Sequence, residues 1–242
     1  MPSWDWKPHP DTILNIFNQQ IDKTKYEIVF NMSWLPQRMP IHIARNKILS
    51  EFIKSWCDYL WFVDDDNPPL LDVLKKLLDS EKDIVSAIVP LRMYDKDWQS
   101  VNLFYDDMNW YIKNYDNVPK RDNPLQEVSN CWTWCVLLSK RVCFDMWKKY
   151  NTRAFWFDTV ELVYNTQIWI VEKYVWQDQE EWWKEIYKHN DDWIQIILND
   201  VSEDLNFFNR AKELWYKVYA RRDTECYHYN WMPSKRVLNH TK

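Results

Sequence analysis

The sequence predicts an α/β fold in which a mixed, mainly parallel sheet is flanked by helices. Three observations carry this. In the N-terminal half, short apolar runs of strand type alternate with longer runs of helical period, the pattern of βαβ units. One of the strand runs, "DYLWFV", leads straight into three consecutive acids, Asp64, Asp65 and Asp66, at the kind of strand end where open α/β sheets bind ligands. The chain has 242 residues, 46% hydrophobic and 28% charged, enough to bury one large core and with no reason to divide it. Residues 1–231 are therefore expected to form a single domain, with an irregular insertion at 151–200 and a tail at 232–242.

Element by element, Tyr26 to Ser33 ("YEIVFNMS") reads as a strand, and Ile41, Ala44, Ile48, Leu49 and Phe52 mark one face of a helix. "DYLWFV" is a buried strand, "LLDVLKKLLDS" after Pro68-Pro69 a second helix, and "DIVSAIVP" a further apolar strand ending at Pro90. "VNLFYDDMNWYIKNYD" reads as a hairpin, and "EVSNCWTWCVLLSK" as a turn entering another strand, where the sheet becomes mixed. From Asn151 to Asp200 charged and aromatic residues dominate, periodicity weakens, and one or two helices are expected. Ser202 is placed to cap a last helix with Leu205, Phe208 and Ala211 on its apolar face, and Trp215 stands at the joint to a final strand, "YKVYA".

The composition is unusual in one respect: there is no glycine, and there are eighteen tryptophans. Average usage would give roughly 17 glycines in a chain of this length, so the tryptophan surplus nearly matches the glycine deficit. Several tryptophans fall where glycine chemistry is expected: Trp56 and Trp215 at helix-to-strand joints, Trp132 and Trp134 in a turn. These observations point to a codon read as glycine in the source and written here as tryptophan; Trp61, inside an apolar run, is compatible with a true tryptophan. A net charge of −5 without a long basic run argues against a nucleic-acid partner. No apolar stretch is long enough for an integral membrane segment and no signal peptide is visible. Five cysteines, odd in number and without zinc-type pairs, read as reduced core thiols of a cytoplasmic protein, at most peripheral to a membrane.

Side chains alternate along an extended backbone, so Asp64 and Asp66 can face one side while Asp65 points away. Two hard oxygen ligands side by side suit Mg²⁺ or Mn²⁺ carrying a diphosphate. An acidic turn of this kind is often only a solvated surface, but a buried strand aimed at it favours a site.

With these residues in view, the chain resembles the GT-A glycosyltransferases, close to family 2, over most of its length from "PSWDWKPHP" to "YHYNWMP", the insertion excepted. "ARNKILSEFIKSWCDYLWFVDDDNPP" is similar to the segment in which an Arg-Asn pair on a helix precedes a DxD strand. "NCWTWCVLLSKRVCFDMW" resembles the acceptor-side G-T-G turn and the strand after it, if Trp132 and Trp134 are restored to glycine. "SEDLNFFNRAKELWYKVY" resembles the E-D helix and its following strand, and "CYHYNW" the segment in which a histidine approaches the metal.

The resemblance implies transfer of a sugar from a UDP- or GDP-linked donor to a glycan or other hydroxyl acceptor, dependent on Mn²⁺ or Mg²⁺ and inverting. It implies Arg45, Asn46, Asp64 and Asp65 at the nucleotide, Asp64, Asp66 and His228 at the metal, Asp204 as general base and Glu203 holding the acceptor. The family's first strand should precede "PSWDWK", and the chain starts at Met1-Pro2, which implies a start that is either truncated or misassigned. A competing reading of the same fold is a non-catalytic protein that binds a glycan or nucleotide sugar on indole faces.

Overall fold

The computed structural model describes residues 9–30, 41–89, 103–104, 123–155, 158–165, 171–175, 193–201 and 203–227. In chain order its elements begin with α1 (Pro10–Phe17), α2 (Ile41–Lys54), β1 (Tyr59–Val63), α3 (Val73–Leu78) and β2 (Ile84–Ile88). Next come β3 (Leu103–Phe104), β4 (Leu125–Val128), β5 (Asn130–Cys131), β6 (Cys135–Ser139) and α4 (Lys140–Tyr150). A 3₁₀ turn (Asn151–Arg153) leads on to β7 (Asp158–Asn165), β8 (Val171–Val175), β9 (Trp193–Val201), α5 (Glu203–Glu213) and β10 (Val218–Glu225).

The central sheet has the order β1-β6-β2-β10-β4. β6 lies between β1 and β2 and is antiparallel to both, β2 is parallel to β10, and β10 is antiparallel to β4. β1, β2 and β10 thus run in one direction, as the alternation of strands and helices predicts. The expectation of a mainly parallel sheet is nevertheless corrected, because β6 and β4 enter with the opposite sense and make most of the pairings antiparallel. A short apolar run buried on both faces looks the same whichever way it runs, so its composition carries no sign of direction.

Helices cover both faces of this sheet. Side chains alternate along β6, with Val136 and Leu138 entering one buried cluster and Cys135 and Leu137 the other. On the first face Leu49 and Phe52 of α2, Val142, Cys143 and Met146 of α4, and Phe207, Phe208 and Ala211 of α5 close the core. On the second, Ile16 of α1 and Val73, Leu74, Leu77 and Leu78 of α3 do so. At about 1.5–3 kcal/mol for each fully buried large apolar side chain, these layers hold the sheet ends in register for whatever is built on them. The five cysteines form no disulfide. Among the described residues no helix is long and apolar enough to cross a membrane.

Several local expectations change. Residues 26–30 belong to no strand, and the rest of the run expected to form one lies outside the described residues. Ile28 and Phe30 line a cavity of about 830 Å³ with Leu60 and Trp61, along the edge of β1 that no strand covers among the described residues. β3 pairs with β5; the rest of the run expected to form a hairpin lies outside the described residues. Within the segment expected to hold one or two helices, residues 166–170 and 176–192 lie outside the described residues, and the described residues form β7, β8 and β9 in an antiparallel sheet of order β8-β7-β9. Its runs "DTVELVYN" and "WIQIILNDV" are rich in β-branched residues, a signal that the surrounding charge obscured. In α5 Phe207 joins Phe208 and Ala211 in the core, while Leu205 is only half buried.

The C-terminus of α5 meets the sequence expectation. Tyr216 N–H donates to Ala211 O at 3.1 Å and Trp215 N–H to Lys212 O at 2.8 Å, the paired bonds of a Schellman cap that put Trp215 at C′. Its φ is 67°, a left-handed conformation that glycine takes without a Cβ penalty. Trp215 is 93% exposed, so the indole gains almost no burial in return. Trp56, Trp132 and Trp134 do not have positive φ.

Candidate functional site

β1 is exposed at its start and buried at its end, so it drives into the core just before Asp64. The turn that follows is held from three sides. Asp64 N–H donates to Trp134 O at 2.9 Å, extending the β1–β6 ladder, and Asn67 N–H closes the turn onto Asp64 O at 3.1 Å. From α1, His9 N–H and Thr12 Oγ1 both donate to Asp65 O, at 3.0 and 2.8 Å. From the end of β10, Cys226 bridges to Pro69 and Tyr227 N–H donates to Pro68 O at 2.9 Å. The next residue, His228, lies outside the described residues, so its expected metal role has no geometry here.

One turn into α2, Arg45 is buried, with 1% of its surface exposed. Its Nη1 donates to Glu203 Oε1 at 2.6 Å and to Asp204 Oδ1, and its Nη2 lies 3.5 Å from Asp64 Oδ1. The acids it joins come from the first turn of α5, where the helix dipole favours negative charge, and from the end of β1. Asp204 accepts a second short bond from Thr133 Oγ1, at 2.6 Å, and a long one from Thr133 N–H, at 3.4 Å. Glu203 accepts from Arg45 through Oε1.

Asn46, the neighbour of Arg45, is spent on the backbone. Its Nδ2 donates to His42 O at 2.9 Å and to Phe155 O, and its Oδ1 accepts from Phe155 N–H at 2.9 Å. These bonds tie α2 to the segment after α4 and leave the amide directed into the protein. Arg45, Glu203, Asp204 and Asp64 are therefore brought together, Asp65 contributes its carbonyl to the turn, and Asn46 acts as a strut.

Three carboxylates around one guanidinium leave surplus negative charge in a poorly solvated place. Burial, then repulsion by Asp204 and Asp65, pushes the Asp64 carboxyl up to about 6, against the pull of Arg45. Burial and the neighbouring Asp204 push Glu203 up to about 7, again opposed by Arg45. Such surplus suits an arriving cation. Asp66 is half buried and its Oδ1 accepts from Asn67 Nδ2 at 2.8 Å. Asn67 is buried, and its Oδ1 has no hydrogen-bond partner among the described residues. Asp64, Asp66 and this orphaned amide oxygen are oxygen donors of the kind Mg²⁺ or Mn²⁺ takes. Among the described residues no group of three or more His, Cys, Asp or Glu stands already arranged around a metal.

Thr133 escaped the sequence reading as a site residue. It sits between Trp132 and Trp134, whose rings stack at 5.5 Å, and a threonine inside an aromatic turn gives no chemical signal until its hydroxyl is found on Asp204.

The architecture has a known counterpart. The chain is similar in fold to A197 from STIV, over 95% of its own length and 83% of that chain, with a TM-score of 0.51 and 15% sequence identity. At that identity the likeness is one of fold. No protein-family model and no curated protein matches the sequence.

Proposed function

We propose that the protein is a metal-dependent glycosyltransferase of GT-A type that moves a sugar from a UDP- or GDP-linked donor to an acceptor hydroxyl with inversion. The observation that carries this reading is the meeting of Asp64 with Glu203 and Asp204, far apart in sequence, around Arg45 at the end of the sheet. On a GT-A reading the strand-end acids serve the donor and the helix-end acids the acceptor. A purely structural cluster gains little from three buried carboxylates.

On this reading Asp64, Asp66 and Asn67 hold the divalent cation, which when bound stabilises charge on the leaving diphosphate. Hydrogen bonding supports assigning proton removal to Glu203 and orientation to Asp204, the reverse of the division the resemblance implies. Both oxygens of Asp204 accept bonds, from Arg45 and Thr133, whereas the Glu203 carboxyl is pushed up to about 7, and a base poised near neutrality suits general-base catalysis. The acceptor O–H gives its proton to Glu203. Its oxygen then forms the bond to the anomeric carbon as the bond from that carbon to the diphosphate oxygen breaks on the opposite face.

The test is a screen of UDP- and GDP-sugars with Mn²⁺, on the chain as written and with Trp132 and Trp134 changed to glycine. Release of nucleoside diphosphate that needs both Mn²⁺ and Glu203 is expected; no release from any donor by either protein removes the reading. The stacked pair of Trp132 and Trp134 favours a second reading, a non-catalytic sugar-binding protein, which would bind donor or glycan without turnover.

A further inference from the structure

We infer that Arg45 is a positioning residue that locks the acceptor-side carboxylates to the donor-side turn, and that it makes no contact with the nucleotide. This rests on the glycosyltransferase reading and departs from the role the resemblance implies for Arg45.

Both Nη groups of Arg45 already face carboxylates. Nη1 serves Glu203 and Asp204, Nη2 faces Asp64, and the remaining Nε is buried without a hydrogen-bond partner. With the residue 1% exposed, no N–H is presented to a diphosphate outside. Its neighbours hold it in place: Asn46 pins the same turn of α2 to Phe155, and Phe155 stacks on Phe207 of α5 with ring centroids 4.1 Å apart. The helix carrying Arg45 and the helix carrying Glu203 and Asp204 are thus packed as one unit, and the guanidinium joins that unit to the end of β1. A planar group with donors in a fixed fork holds three carboxylates in one set geometry, whereas the three donors of a lysine radiate from a single atom on a flexible stem. Because Arg45 neutralises Asp64 from inside, it also competes with any cation that approaches Asp64 from outside.

Two variants test this, Arg45→Met and Arg45→Lys, each first checked for a cooperative melt. Mn²⁺ alone is titrated by calorimetry, then UDP and GDP in the presence of Mn²⁺, and transfer is assayed with the donor found by the screen. Removal of the competing charge in Arg45→Met is expected to tighten Mn²⁺ binding by roughly tenfold. Nucleotide affinity should stay within about threefold of wild type while turnover drops about 10²-fold, the cost of misplacing a catalytic group. Arg45→Lys should keep nucleotide affinity and recover only part of turnover, and it decides the matter if Arg45→Met does not fold. Nucleotide affinity lowered tenfold or more in either variant, with Mn²⁺ binding unchanged, overturns the inference and returns Arg45 to the nucleotide. If the wild type binds neither nucleotide, the glycosyltransferase reading fails and the Mn²⁺ titration alone decides. Tighter binding in Arg45→Met then supports the charge-competing lock, and unchanged binding rejects it.

Discussion

The two ends of α5 differ in almost every physical respect. At its N-terminus Glu203 and Asp204 are charged residues buried against Arg45, with carboxyl groups that a solvated helix end would leave in water. At its C-terminus Trp215 is a large apolar residue left in water on a backbone turn that disfavours any side chain. Burial without solvation is costly, and the N-terminal end tolerates it through a matched arginine and threonine. The C-terminal end has no such compensation. A costly arrangement with dedicated partners marks a site, whereas a costly residue without partners marks a mismatch between residue and backbone.

The largest effects are expected at the buried end. Glu203→Gln should lower turnover by about 10²–10⁴-fold if Glu203 removes the proton, with donor affinity nearly unchanged. Asp204→Asn should also impair transfer, but through orientation, so that its pH–rate profile keeps the wild-type shape while that of Glu203→Gln loses its limb near neutral pH. Should Asp204→Asn lose that limb and Glu203→Gln keep it, the two roles are exchanged.

A smaller effect concerns stability against pH. Asp64 and Glu203 have folded-state pKa values above their ordinary ones, so the native state binds more protons than the unfolded state between about pH 4 and 7. Stability contributed by these two groups is therefore full at the acid side of that window and falls as pH rises through it. Thermal midpoints measured from pH 5 to 7.5 should decline, and Glu203→Gln should flatten the decline. A midpoint that rises equally in both proteins contradicts the electrostatics described here.

At the exposed end, Trp215→Gly should stabilise the protein by about 1 kcal/mol by relieving the left-handed strain, and Trp215→Ala should not, since it keeps the Cβ. Trp56→Gly, at a joint whose φ is not positive, is expected to change stability by no more than about 0.5 kcal/mol. Denaturant melts of the three variants rank them. Equal effects at positions 56 and 215 would remove the conformational argument for glycine at the α5 cap.

How much could be read in advance follows the same division. Helical periodicity located α2 and α5, and the apolar run before Asp64 located β1, because burial of one face leaves a repeat in the sequence. The sense of β6 was not legible, since a strand buried on both faces has no polarity to read. Nor were β7 to β9, where charge masks alternation. The acids of the site were legible as residue types, but their common partner was assigned outward to a nucleotide. The guanidinium faces inward onto Asp64, Glu203 and Asp204, contacts that only the folded chain brings together. Thr133 was legible as the middle of the turn likened to G-T-G, but its bond to Asp204 was not.

The central claim is that the acids at the end of β1 take a nucleotide through a divalent cation. Calorimetric titration of UDP and GDP into wild type and Asp66→Ala, with and without Mn²⁺, tests it most directly. The account predicts binding by wild type that requires Mn²⁺ and is lost in Asp66→Ala, with the fold intact by thermal melt. Equal binding by the two proteins, or none by wild type with Mn²⁺ present, would contradict it.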